Sequence, residues 1–387
     1  MKKIFPLVSA QALYQTAAVL VAALSGLVGF NLAKDKSLAT LPVALISVGT
    51  AAILIPASVF MKKYGRKRGF MVGVALGFVA GGLTAAGIYY TNFWLFVVGN
   101  MFIGAYGGFA QYYRFAAAES VAAEDRSKAI SWVVSGGVFA AIAGPLLARL
   151  TKDIGHLPFF YSYLSVSVLS IIAIGIISAV KEAGQQEDNN GEVSHKERPL
   201  SIIAKQPVFI AALISSAVGF AVMVMVMTAT PIAMKLCGHD ADDSSIVIQW
   251  HVLGMFVPSF FTGNLVQKFG AVRIISLGIL IFLTHVAFAL TGTDFFHFVS
   301  GLIFLGVGWN FMFIGGTALL TRAYTPADRA KTQSFHDFAV YAVTTLSSFL
   351  AGAVLNLWGW EMVNMVAVPF LVVALVTIQW FGRVAQT

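Results

Sequence analysis

Charge is scarce in this chain. Only 11 % of its 387 residues are Asp, Glu, Lys or Arg, against roughly 25 % in an ordinary soluble domain. It has a single cysteine, Cys237, which excludes an internal disulfide and a thiolate metal site. There is no His-x-x-x-His pair, no Gly-rich phosphate loop and no nucleophile motif. These absences argue against metal-ion transport and leave a membrane enzyme or lipid-handling protein without a catalytic cluster. No cofactor and no resident metal are expected. Strict apolar–polar alternation is also missing, which argues against a membrane β-barrel.

What is abundant is apolar. The residues AVILMFWYC make up 58 % of the chain, 32 Phe and 7 Trp among them, with 36 Gly besides. A soluble fold of this length could not hide that surface, so the solvent must be lipid. The start, Met1-Lys2-Lys3 followed by apolar residues, imitates a signal peptide. The apolar run continues from Ile4 to Ala33, which is too long for a cleaved segment and reads as a first membrane helix. Twelve spans of about 20 residues can be placed, at 5–32, 39–61, 69–90, 93–119, 129–151, 158–180, 206–233, 244–266, 273–292, 295–321, 333–356 and 361–381. The expected fold is an all-α polytopic membrane protein of 12 transmembrane helices in two pseudo-symmetric six-helix bundles. Residues 1–180 form the N-terminal bundle, 181–205 a charged cytoplasmic linker and 206–387 the C-terminal bundle.

The basic residues orient the chain. With the N-terminus inside, 19 of the 25 Lys and Arg fall in inner segments. Five fall outside (Lys34, Lys36, Arg149, Lys152 and Lys235), and Arg114 lies within a span. By the positive-inside rule both termini and the linker face the cytoplasm of a bacterial inner membrane. The same asymmetry accounts for the net charge of +8 without any nucleic-acid partner. A monomer in contact with lipid is expected.

The two halves repeat. Lys63, Gly65 and Arg68 after the second span correspond to Lys268, Gly270 and Arg273 after the eighth, at an offset of 205. Asp125-Arg-Ser-Lys after the fourth corresponds to Asp328-Arg-Ala-Lys after the tenth, at an offset of 203. Two loops with nearly one offset indicate a 6+6 duplication, and parallel repeats around a midplane site describe a secondary transporter.

At these loops the chain resembles the major facilitator superfamily over its whole length. The resemblance rests on Gly65, Arg66, Lys67 and Arg68, which match the second half of the family's Gly-x-x-x-Asp-Arg-x-Gly-Arg-Arg motif. Ser58 and Lys62 stand where the motif has Gly and Asp. The resemblance implies alternating access, with Lys62, Gly65, Arg66, Lys67, Arg68, Gly263 and Gly270 in the gating loops. In the fifth span the small-residue run through Gly144-Pro145 is similar to the Gly-Pro motif of the family's exporters. Exporters often carry Arg where Asn100 aligns, so that feature points the other way. The run Gln249-Trp-His-Val-Leu-Gly-Met-Phe-Val-Pro-Ser-Phe resembles bacterial members, some of them connected with riboflavin.

Polar residues within spans are costly and therefore candidates for function. In the fourth span Asn100, Gly104, Gly107, Gln111 and Arg114 share a helical face. Arg114 either attracts an anionic or carbonyl-bearing ligand or serves at the inner interface, paired with Glu119. In the eleventh, Ser334, Asp337, Tyr341, Thr344 and Ser348 share another face, below a helix start expected at Thr325-Pro326. Asp337 is the one acidic residue placed clearly within a span, and the cost of burying its charge makes it a proton-carrier candidate. His336 beside it should point about 100° away, so the two are not read as a simple pair. His251 is a further titratable candidate. Gln11, Gln15, Met223, Met227, Gln249, Trp309 and Asn310 complete an expected cavity that is neutral, aromatic and Met-lined.

Such a lining suits a flat or amphipathic organic molecule. The expected function is secondary transport of such a molecule, either proton-linked or facilitative, as antiporter or uniporter. Export is slightly favoured by the fifth span. Uptake of a vitamin or metabolite such as riboflavin is the alternative.

Overall fold

The computed structural model describes residues 4–35, 38, 41–180 and 197–385, with backbone only at Ala241 and Asp242. Lys2, Lys3, Lys36 and most of the linker, Lys181 and Lys196 included, lie outside the described residues.

All regular structure among the described residues is helical. Helices α1 (Phe5–Leu32), α2 (Leu41–Tyr64), α3 (Arg66–Tyr89), α4 (Phe93–Ala110), α5 (Tyr113–Glu119), α6 (Arg126–Thr151) and α7 (Phe160–Ser178) precede the linker. A short α8 (Leu200–Ile203) is followed by α9 (Pro207–Leu236), α10 (Ala241–Phe256), α11 (Ser259–Phe269), α12 (Ala271–Thr291), α13 (Phe295–Leu320), α14 (Arg329–Met365) and α15 (Ala367–Val384). In lipid the backbone must satisfy itself, and helices do so within one segment. Ends are closed where the sequence offers a side-chain acceptor. Asn92 accepts from Leu95 N at 3.0 Å, Asp240 from Asp243 N at 2.8 Å and Asp294 from His297 N at 3.0 Å.

Among the described residues, eleven helical stretches are long and apolar enough to cross a membrane. The twelve expected spans map onto them because the last stretch, Arg329–Val384, holds 56 residues. At about 1.5 Å per residue that exceeds twice the ~30 Å hydrocarbon core, so it has length for two crossings. Its backbone departs from helix at Gly359, with φ of 79°, in the interval expected between the last two spans.

The chain forms two compact units, Met1–Val121 with Gly136–Ser194 and Ala122–Ser135 with His195–Thr387. The first ten residues of α6 thus belong to the second unit. In the first unit α4 packs against α2 and α3, and α3 against α7. The approach of α2 to α4 needs glycine, since a Cβ on Gly104 would lie 2.0 Å from the Ile46 carbonyl oxygen. In the second unit the main pairings are α12 with α13, α9 with α14 and α10 with α13.

The internal repeat is visible in backbone angles. Gly65 (φ 91°, ψ 155°) separates α2 from α3, and Gly270 (φ 84°, ψ 150°) separates α11 from α12. A Cβ is disfavoured at such positive φ, which is why both copies keep glycine while their neighbours diverge.

Two expectations need correction. The eleventh span does not start at Thr325-Pro326: α14 begins at Arg329. The Thr325 hydroxyl donates instead to Asp328 Oδ2 at 3.1 Å, so it is not free to cap the helix. The end of the linker is also structured, with Pro199 leading into α8 and Arg198 clasped by Asp328. The Asp328 side chain is fully shielded. It receives the Arg198 backbone N–H at 2.7 Å and the Arg198 Nε–H at 2.5 Å, while Arg198 Nη2 donates to the Ala323 carbonyl at 3.1 Å.

Desolvation alone would raise the Asp328 carboxyl, but the Arg198 donors, with Thr325 and the guanidinium charge, outweigh it and hold the carboxyl below its usual range. A depressed folded-state value means that the clasp contributes fully above the unfolded carboxylate value near 4. The contribution is lost as pH falls through the lower folded value. Arg198 is about one-third exposed, so solvent screening reduces what it adds. Asp328→Asn is expected to lower stability in detergent by about 1–2 kcal/mol at pH 7, with the difference from wild type closing in acid below pH ~4. Thermal unfolding against pH measures this, and an unchanged midpoint at pH 7 would show the clasp to be idle.

Candidate functional site

In the first unit the fourth span is not one continuous helix. It breaks at Gln111–Tyr112, between α4 and α5. Beyond the break Arg114 is buried and donates from Nη1 to Gln111 Oε1 at 2.6 Å, with its guanidinium carbon 4.5 Å from the Phe115 ring centroid. Upstream the expected polar face is packed against neighbours. Gly107 meets the Tyr14 hydroxyl of α1, and Gly104 meets α2. Asn100 is fully buried: Ser25 Oγ donates to its Oδ1 at 2.9 Å, and its Nδ2 donates to Phe96 O at 2.9 Å. Ser25 Oγ is also 2.8 Å from the Tyr163 hydroxyl. With the Ser25 proton used toward Asn100, Tyr163 is the donor, and the chain from Tyr163 to Phe96 O is saturated. Asn100 thus ties α1, α4 and α7 together. Gln11 is buried and Gln15 half-buried on α1, beside Tyr14, whose ring stands edge-on to Tyr106 at 5.0 Å.

The motif loop of this unit is laced to its own helices. Arg66 Nη2 lies 2.7 Å from Glu119 Oε1 at the end of α5, and Lys67 Nζ donates to Ser178 O at 2.6 Å. Lys62 and Arg68 are exposed, and Gly65 supplies the turn between them.

In the second unit five aromatic rings from four helices converge. Trp309 of α13 stacks on Phe313 at 5.0 Å and 14°. Phe220 of α9 stands edge-on to Trp309 at 5.2 Å and to Phe313 at 5.1 Å. Phe256 at the end of α10 meets Trp309 at 5.9 Å, and Tyr341 of α14 meets Phe220 at 5.9 Å. Trp309 is 3 % exposed, and its indole Nε1–H has no acceptor. A buried donor without a partner costs about 1–3 kcal/mol, so a carbonyl-bearing ligand has something to gain there. Of the expected lining, Met223 is buried and Met227 half-buried on α9, while Gln249 is exposed on α10, away from the aromatic cluster. The sequence reading picked out Trp309 and Tyr341 but missed Phe220, Phe256 and Phe313. With 32 Phe in the chain, no single one stands out; the i, i+4 spacing of Trp309 and Phe313 was the available signal.

The titratable candidates lie elsewhere in this unit. His336 and Asp337 are both buried, and, contrary to the expected divergence, His336 Nδ1 is 2.8 Å from Asp337 Oδ1. Phe209 of α9 stands edge-on to the imidazole at 6.4 Å and 82°. His336 Nε2 has no hydrogen-bond partner. His251 is buried on α10, with Nδ1 2.9 Å from Leu302 O and Nε2 without a partner.

The eighth span is broken at Val257–Pro258, between α10 and α11. Asn310, next to Trp309, sits on the break. Its Nδ2 donates to Met255 O at 2.6 Å and Ser259 Oγ at 2.5 Å, and its Oδ1 accepts from Thr262 Oγ1 at 2.6 Å. Gly263 one turn on leaves room for the start of α6: a Cβ there would lie 2.6 Å from Ser127 O. Gly263 N donates to Ser131 Oγ at 2.9 Å and Ser127 Oγ to Gly263 O at 3.0 Å.

The profile of the Major Facilitator Superfamily matches residues 7–257 and 238–386. The chain belongs to the Major Facilitator Superfamily. It is therefore a multi-pass membrane transporter and not an enzyme. Among its relatives in the superfamily, the riboflavin transporter RfnT of Brucella anthropi is 41 % identical over 97 % of this chain and 94 % of its own length. The MFS-type transporter YdeG of Bacillus subtilis is 29 % identical over 82 % of this chain and 77 % of its own. The superfamily fold is also that of the Escherichia coli fucose:proton symporter FucP, with a TM-score of 0.77, 16 % identity and 98 % of both chains covered.

Proposed function

We propose that this transporter carries riboflavin, or a flat aromatic vitamin closely like it, across the bacterial inner membrane with both termini in the cytoplasm. The observation that carries the reading is the 41 % identity to a riboflavin transporter over nearly the whole chain. The Phe220–Trp309–Phe313–Tyr341 cluster supports it, since ring faces and one unmet N–H donor suit a planar heteroaromatic with carbonyl acceptors. The 19-to-5 division of Lys and Arg supports the orientation. The buried His336–Asp337 pair is the proposed proton carrier and His251 the second titratable group; Gln111 and Arg114 are the proposed polar contribution of the first unit.

The test is flux of labelled riboflavin into proteoliposomes. Saturable flux that unlabelled riboflavin competes away, and ribose does not, is the expected result. Absence of riboflavin flux sinks the cargo. Export is the second reading, favoured by the Gly144-Pro145 run of α6. The direction in which an imposed pH gradient accelerates flux separates uptake from export.

A further inference from the structure

The break in the eighth span holds a buried polar node of the second unit. Pro258 has no N–H to give, so the carbonyl of Gly254 loses its helical partner and the ladder opens. An interrupted ladder at membrane depth persists only where protein satisfies its free groups. Here one side chain from another helix does so for the next carbonyl, that of Met255. Asn310 donates to Met255 O above the break and to Ser259 Oγ below it. It also accepts from Thr262 Oγ1, which itself reaches Pro258 O at 2.8 Å. Asn310, Ser259 and Thr262 are all fully buried.

What lies on either side of the break gives it mechanical meaning. Before it, Phe256 packs on Trp309, the residue adjoining Asn310. After it, α11 is gripped by the first turns of α6 through Gly263, Ser127 and Ser131, with Ser131 Oγ also donating to Ser259 O. A shift of Trp309 against Phe256 therefore reaches the amide that bridges α10 and α11.

We infer that Asn310 is a positioning residue of the transport cycle: it latches α10 to α11 across the interrupted hydrogen-bond ladder of the eighth span, and loosening of its bonds to Met255 and Ser259 is a step of transport. The inference requires the transport function of the superfamily but not the identity of the cargo.

Three variants test it, Asn310→Ala, Pro258→Ala and the double variant, with riboflavin flux in proteoliposomes and amide exchange in detergent as readouts. In Asn310→Ala, exchange over residues 257–262 should rise about tenfold while the rest of the unit stays protected. The maximal flux should fall about tenfold with half-saturation changed less than about twofold. Pro258→Ala restores an N–H at the break, so exchange there should slow and flux fall because the ladder that the latch spans is closed. In the double variant the helix supplies its own bond, and exchange should return to within about threefold of wild type. Asn310→Ala with wild-type exchange and flux overturns the inference, as does loosening spread evenly over the unit. Should Asn310→Ala fail to fold, a protected double variant supports the latch and an unfolded one overturns it. If wild type moves no riboflavin, the proposed cargo falls and the exchange comparison alone decides on Asn310.

Discussion

Asp337→Asn is expected to abolish proton-driven accumulation while leaving downhill exchange of the substrate in place. The Asp337 carboxylate lies in α14 with the His336 imidazole 2.8 Å away, both shielded from solvent. An isolated charge there would be expensive. A single proton shared by the two groups leaves the pair without net charge, whether it sits as carboxylate with imidazolium or as carboxylic acid with imidazole. Gain or loss of one further proton would change the net charge of a buried site by a full unit, and the proposed coupling rests on that change. Asparagine keeps the shape and a hydrogen bond to Nδ1 but cannot release a proton. One pH unit of gradient corresponds to about 1.4 kcal/mol, or tenfold accumulation, and Asp337→Asn should reduce that ratio to about one. His336→Gln should weaken accumulation in the same direction. Counterflow of labelled against unlabelled riboflavin, with no gradient, should proceed in both variants. Accumulation by Asp337→Asn equal to wild type under the same gradient would remove the pair from the mechanism.

The architecture was largely legible in the sequence because lipid leaves so few solutions. Apolar runs long enough to span must be helices, and the repeated Gly65 and Gly270 carry matching positive φ values because each loop needs the same turn. Breaks inside spans were less legible. Gln111–Tyr112 carries no proline or glycine, so nothing local announces the change from α4 to α5. Pro258 does announce one, but only the fold shows that Asn310, 52 positions on, covers it. Polar residues posed a related difficulty. Asn100 and Arg114 share a helical face in the sequence, yet one is spent on Ser25 and Phe96 and the other on Gln111. Periodicity tells which residues face the same way and is silent about what they face. His336 shows the same limit, since helical spacing sets the directions of the two Cβ atoms and leaves open the side-chain rotamer that brings its ring to Asp337.

Trp309 offers the sharpest separation between packing and recognition. Trp309→Phe removes little more than the indole N–H and part of the ring. That donor has no acceptor within the protein, so its removal should cost less than an ordinary core truncation, or even stabilise by about 1 kcal/mol. If the N–H meets a ring carbonyl of the bound vitamin, the same change should weaken binding about tenfold. Stability and affinity then move independently, which a residue serving only the core would not allow. Trp309→Ala removes the stacking partner of Phe313 and the edge contacts to Phe220 and Phe256. It should weaken riboflavin binding about a hundredfold and cost roughly 3–5 kcal/mol of stability besides. Titration by quenching of flavin fluorescence, beside thermal unfolding without ligand, measures both quantities. Phe220 and Tyr341 are the half-exposed rings of the cluster, so in the proposed site they are the ones a ligand would meet first, and Tyr341→Ala should weaken binding more than it lowers stability. Wild-type affinity in Trp309→Phe and Tyr341→Ala together would confine the five rings to holding α9, α10, α13 and α14 together.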